Sequence, residues 1–225
     1  MERAGFWASE RSLSVLAGAV LVSTFVIGPL IRPAGFGNAV LTVAYLAILA
    51  SGLAAAEKRG WIFRIVLGLA LLSVLGRAAA LLAPGELADV GRKLTSALFC
   101  LLLSAVVFER IFRAGRVTLH RIAGAVAAYL LIGLVFAFVF DAIELLAPGS
   151  FRFADGALRN PDLSDPMVYY SFVTLTTVGY GDVTPATPLT ESLANLEALI
   201  GQLFPTILIA RLVALELLPR GEDAP

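Results

Sequence analysis

Residues Thr174 to Asp182 read T-L-T-T-V-G-Y-G-D, with glycines on alternate positions 179 and 181. Glycine lacks a Cβ and reaches backbone angles closed to other residues, so two of them spaced this way let successive carbonyls turn to one side. Thr177 adds a hydroxyl oxygen at one end of the row. The chemistry open to such a row is coordination by uncharged oxygens rather than bond making. No nucleophile–base pair, metal-ligand cluster, or Walker or Rossmann glycine loop appears in the sequence, so an enzyme is not expected. Cys100 is the single cysteine and lies in an apolar run, which excludes an intrachain disulfide. His120, the single histidine, sits beside Arg121 and reads as an interfacial polar residue.

The T-V-G-Y-G-D run resembles the selectivity-filter signature of tetrameric potassium channels, of the prokaryotic six-transmembrane type without a cytoplasmic regulatory domain. The resemblance implies that the oxygens of Thr177, Val178, Gly179 and Tyr180 hold K⁺, with Gly181 completing the filter and the peptide carbonyls replacing the ion's water shell. One chain supplies one filter strand, so a homotetramer around one pore is implied. Permeant K⁺ is the only ion called for, and no cofactor is expected. In the family, two aromatics precede the filter aspartate by thirteen and twelve positions; here they are Tyr169 and Tyr170, before Asp182. Tyrosine stands where tryptophan is common. Thr176 and Asp182 join them as filter support, and Val173 occupies the place where some relatives carry a buried glutamate. Gly201, nineteen positions after Asp182, matches the gating hinge of the inner helix. Pro205 has no N–H, so the Gly201 carbonyl loses its helical partner and the helix can bend there, as a moving hinge or as a static kink.

The elements that must carry this loop belong to a membrane protein. The chain is 59% hydrophobic and only 15% charged. A span takes about 20 apolar residues, and six runs approach or exceed that: Leu13–Ile31, Ala39–Ala56, Ile62–Ala83, Leu94–Phe108, Ile122–Leu146 and Leu189–Leu217. The fold class expected is therefore an all-α membrane protein. It has six transmembrane helices, with a re-entrant pore helix and filter loop between the fifth and sixth. Ser164-Asp165-Pro166 reads as a helix start, and Met167 to Thr176 as a helix too short to cross. Residues 1–116 form a four-helix transmembrane domain similar to a voltage-sensor bundle, 117–218 the pore domain, and 219–225 a short cytoplasmic tail.

Charges set the orientation. Lys58, Arg59 and Arg64 lie in one loop, and Arg110, Arg113, Arg116 and Arg121 in another on the same side, which makes both loops and both termini cytoplasmic. The glycine loop then faces outward. The run Leu94–Phe108 holds no charge, so Arg110, Arg113 and Arg116 read as cytoplasmic anchors rather than a sensor ladder, and strong voltage gating is not expected. Acidic residues outnumber basic ones from Asp141 to Glu191, a bias that would concentrate cations at the outer mouth. The 17 basic and 17 acidic residues balance, which argues against nucleic acid as a partner. The expected partners are the lipid bilayer, K⁺ and further copies of the chain, with no soluble partner. A multi-pass cell-membrane protein is expected, of bacterial inner-membrane composition. The function expected is passive, K⁺-selective conduction. A non-selective cation channel, the membrane subunit of a potassium transporter and a non-conducting scaffold are the alternatives.

Overall fold

Apolar runs become helices in the computed structural model, and several helices extend past the runs. Residues 3–27, 61–82, 85–112, 118–154 and 166–217 are described. The second apolar run, Lys58, Arg59, Arg113, Arg116, the Ser164-Asp165 pair and the tail lie outside them, as does the side chain of Arg77. In chain order the elements are α1 (Arg3–Val22), which widens into a π-turn over Ser23–Ile27, then α2 (Trp61–Leu82), α3 (Glu86–Phe112) and α4 (Leu119–Leu146). There follow β1 (Phe151–Phe153), α5 (Pro166–Leu175), β2 (Val183–Pro185) and α6 (Pro188–Leu217).

α3 shows why charged residues enter the helices. Glu86 and Asp89 in its first turn and Arg110 in its last oppose the helix dipole, so the helix outlasts the run Leu94–Phe108 at both ends. Arg92 and Lys93, just ahead of the apolar run, therefore lie on the helix. Arg92 pairs with Asp89 at 3.1 Å, and Lys93 forms an ion pair with Asp141 on α4. α4 starts at Leu119, ahead of the expected Ile122, because the Thr118 hydroxyl accepts the Arg121 N–H at 3.3 Å as an N-cap. His120 thus sits in a first helical turn, with Nδ1 2.8 Å from Ser14 Oγ on α1.

Among the described residues, three helical stretches are long and apolar enough to cross a membrane: Glu86–Phe112, Leu119–Leu146 and Pro188–Arg211. Ser12–Ile27 and Arg64–Gly76 are shorter apolar helices. α1, α3 and α4 share one core, in which Leu16, Val20, Phe99, Leu103, Val107 and Leu131 are buried. Small residues on α4 allow the close approach; a Cβ at Gly124 would already lie 3.2 Å from Leu13.

The antiparallel β1–β2 ribbon is a departure from the all-α expectation. Phe151 pairs with Pro185, Arg152 with Thr184 and Phe153 with Val183. The alternating Phe-Arg-Phe buries Phe151 in a second cluster with Phe140, Met167, Tyr170 and Val183. Flanking bonds from Ala154 N–H to the Asp182 carbonyl and from Ala186 N–H to the Ser150 carbonyl, both 2.8 Å, extend the ribbon. It ties the end of α4 to the segment that enters α6. There Thr187 and Thr190 cap each other: the Thr187 N–H donates to Thr190 Oγ1 at 3.1 Å and the Thr190 N–H to Thr187 Oγ1 at 3.3 Å.

Candidate functional site

α5 spans ten residues, roughly 15 Å of helix, which is about half of what a bilayer requires. It begins and ends one residue earlier than the expected Met167–Thr176. A helix end leaves four carbonyls without partners, and here each one finds a donor. Phe172 O accepts Thr176 N–H at 3.0 Å, and Thr174 O accepts Thr177 N–H at 2.9 Å. Val173 O accepts from both Val178 and Gly179, at 2.9 and 3.3 Å. Leu175 O accepts the Tyr129 hydroxyl of α4 at 3.1 Å. Thr176 Oγ1 donates to Phe172 O at 2.6 Å, so Thr176 closes the helix with both backbone and side chain.

The next five residues are built differently. Thr177, Gly179 and Gly181 have positive φ, of 59°, 58° and 79°, whereas Val178 and Tyr180 between them do not. In an ordinary strand successive carbonyls point to opposite sides; alternating the sign of φ turns them to the same side. Among the described residues no donor reaches the carbonyl oxygens of Thr177 to Gly181. Glycine takes the left-handed angle freely, but a β-branched residue in it costs about 1–3 kcal/mol and persists only where neighbours enforce it. For Thr177 those neighbours are its N–H bond to Thr174 and the Gln202 side-chain amide, which donates to Thr177 Oγ1 at 3.2 Å. Val178 is 52% exposed and Tyr180 72% exposed in the single chain.

The two expected support aromatics take different positions. The Tyr169 hydroxyl donates to Asp182 Oδ2 at 2.7 Å. That bond, with some burial, pushes its phenol up to about 12, so it stays a donor. Asp182 Oδ1 accepts the Val183 N–H at 3.0 Å. Tyr170 is buried among Phe140 and Phe151, its ring centroid 5.2 Å from each.

α6 runs unbroken through Gly201 and Pro205. A Cβ built on Gly201 would overlap the Leu175 backbone carbonyl, so in this structure the glycine allows α6 to lie against the end of α5. Thr206 Oγ1 donates back to Gln202 O at 2.7 Å beside the proline. Further along, Arg211 Nη2 donates to the Phe112 carbonyl at 2.6 Å and its guanidinium lies 4.4 Å from the Phe112 ring, anchoring α6 to the end of α3. Phe204 lies between the Phe108 and Tyr129 rings, at 5.9 and 5.6 Å.

The acidic bias from Asp141 to Glu191 is partly structural. Asp141 is paired with Lys93. Glu144 accepts the Gly149 and Phe151 N–H groups at 2.9 and 3.0 Å and so fastens the turn after α4. Ser171 on α5, and Tyr129, Gly133 and Gln202 on the helices packed against α5 and the loop, were all missed by the motif reading. The signal available was an isolated polar or small residue in an otherwise apolar helix.

Residues 125–216, from within α4 through α6, match a family model described as an ion channel. The match indicates a channel, not an enzyme. The channel's apolar helices also mark a membrane protein. Neither the search of curated proteins nor that of solved structures found a match. Helices α1 to α3 lie outside the matched residues.

Proposed function

We propose that the channel conducts K⁺ passively and selectively through a central pore made by four copies of the chain. Each copy contributes the oxygens of Thr177, Val178, Gly179 and Tyr180, followed by Gly181, as one quarter of the ion-coordinating surface. The observation that carries this reading is the alternating-sign backbone at 177–181, with its carbonyl oxygens unpaired among the described residues. Oxygens aligned on one side, without a proton donor among the described residues, can substitute for the hydration shell of a monovalent cation. Non-helical backbone at membrane depth is tolerable only where it is buried in protein or lines water. Within one chain Val178 and Tyr180 are open, as are Leu196, Leu199, Leu203 and Ile207 on α6. Further copies supply the burial that these surfaces lack.

In this arrangement α5 is the re-entrant pore helix, and Tyr169, Tyr170, Thr176 and Asp182 support the filter. Gly201 and Pro205 form the place where the inner helix bends in gating. The pore unit comprises residues 117–218, preceded by a four-helix bundle over residues 1–116, for six membrane crossings with both termini in the cytoplasm. Tail residues 219–225 are cytoplasmic, and a bacterial inner membrane is the setting. The test is flux into liposomes holding the purified protein. A K⁺ gradient should drive uptake that a Na⁺ gradient does not, and the assembly should have the mass of four chains. Equal K⁺ and Na⁺ uptake would favour a non-selective cation channel.

A further inference from the structure

Behind α5 lies one carboxyl group that the conduction path does not use. Glu197 on α6 is fully buried. Its Oε1 is 2.5 Å from Ser171 Oγ on α5, and its Oε2 has no hydrogen-bond partner among the described residues. Ser171 is also fully buried, and the same Oγ lies 2.7 Å from the Gly133 carbonyl oxygen on α4. Two short oxygen–oxygen contacts thus meet at one hydroxyl, and a hydroxyl owns one hydrogen. The Gly133 carbonyl owns none. If Glu197 were a carboxylate it would have to take the Ser171 hydrogen. The Ser171 and Gly133 oxygens would then face each other at hydrogen-bond distance with nothing between them, beside an unpaired charge in a dry interior. Among the described residues, the titratable side chains close to Glu197 are Tyr129 on α4 and Tyr170 on α5, and neither brings a positive charge. Both contacts become hydrogen bonds once the carboxyl supplies the second hydrogen.

This relay stands where the three helices pack tightly against one another. A Cβ at Gly133 would lie 2.8 Å from the Phe172 ring, and one at Gly201 would overlap the Leu175 carbonyl. Few other polar groups could occupy such a seam, because each unpaired one is costly.

We propose that Glu197 is held as a carboxylic acid that donates to Ser171, which in turn donates to Gly133, and that this relay sets the angle of α5 on which selectivity depends. Glu197 and Ser171 are then positioning residues, and what position 197 must supply is a hydrogen-bond donor rather than a charge. The claim rests on the potassium-channel reading above. Glu197→Gln keeps a donor at that place; Glu197→Leu does not. The infrared difference spectrum of wild type minus Glu197→Gln should contain a carboxylic-acid C=O band. The K⁺/Na⁺ permeability ratio of Glu197→Gln should stay within about twofold of wild type, while Glu197→Leu and Ser171→Ala should each lower it by about tenfold, the size of one lost buried hydrogen bond. Combining the last two should add little, because they break the same relay. Absence of the acid band, or a Glu197→Gln variant as unselective as Glu197→Leu, would overturn the proposal. If Glu197→Leu fails to assemble, the infrared band and the Glu197→Gln ratio decide alone. A wild-type protein that conducts without preferring K⁺ would instead sink the potassium reading, with the infrared band still deciding whether Glu197 is an acid.

Discussion

The two sides of α5 follow opposite rules. Where α5 packs on α4 and α6, Ser171 lies within hydrogen-bond distance of Glu197 and Gly133, the Leu175 carbonyl accepts from Tyr129, and two glycines bring the helices to van der Waals contact. At its end, five residues leave their carbonyls unpaired among the described residues, and one threonine takes a backbone angle that favours glycine. A costly segment of this kind survives only when its surroundings over-determine it. On the proposed reading, the comparison separates what conducts from what holds the conductor: the loop carbonyls meet no donor among the described residues, whereas the last four carbonyls of α5 all do.

The strongest blow to this division is Gly179→Ala. At a φ of 58° an alanine costs about 1–2 kcal/mol and is repeated in every copy. Liposome K⁺ uptake should be abolished while the assembly keeps its mass on size-exclusion chromatography; undiminished uptake would mean that the loop does not conduct. Next in size is Gly201→Ala on the packed side. Its Cβ must push α6 away from Leu175, and overpacking of this sort costs about 1–3 kcal/mol, read as a drop of several degrees in melting temperature. Since that variant disturbs α5 as well, the hinge is better probed by Pro205→Ala, which returns an N–H opposite the Gly201 carbonyl. Open probability in single-channel records should change if α6 bends there, and stay constant if the proline is passive.

Tyr169→Phe and Asp182→Asn sharpen the boundary between the two sides. The first removes the donor of one 2.7 Å bond and the second the charge of its acceptor, for about 1 kcal/mol each, and the double variant should be no worse than the more damaging single one. The expected readout is faster decay of current during sustained conduction. Smallest is Arg211→Gln, which frees α6 from Phe112. An exposed cation–π contact is worth about 0.5–1 kcal/mol, so open probability should shift modestly, with K⁺/Na⁺ selectivity unaltered.

The loop and the long helices could be read from sequence because each announces itself locally. Alternate glycines need no tertiary context, and the apolar run Leu189–Leu217 became α6 within one residue. The ribbon was not legible, since pairing Phe151–Phe153 with Val183–Pro185 depends on a contact across thirty positions. The extent of α3 was missed for a different reason: hydropathy marks where a helix is greasy, whereas Glu86, Asp89 and Arg110 decide where it ends. The seam behind α5 joins single residues from three helices. Ser171 and Gly133 look ordinary until the fold places them 2.7 Å apart. Glu197 is visible in the sequence as an acid in an apolar run, but Ser171, the residue of α5 that meets it, is not.

The most direct measurement is the reversal potential of the purified protein in a planar bilayer, with K⁺ on one side and an equal concentration of Na⁺ on the other. A K⁺-selective pore of aligned carbonyls gives a large potential, negative on the K⁺ side, that Gly179→Ala destroys along with the current. A potential at zero, with current flowing, would contradict it.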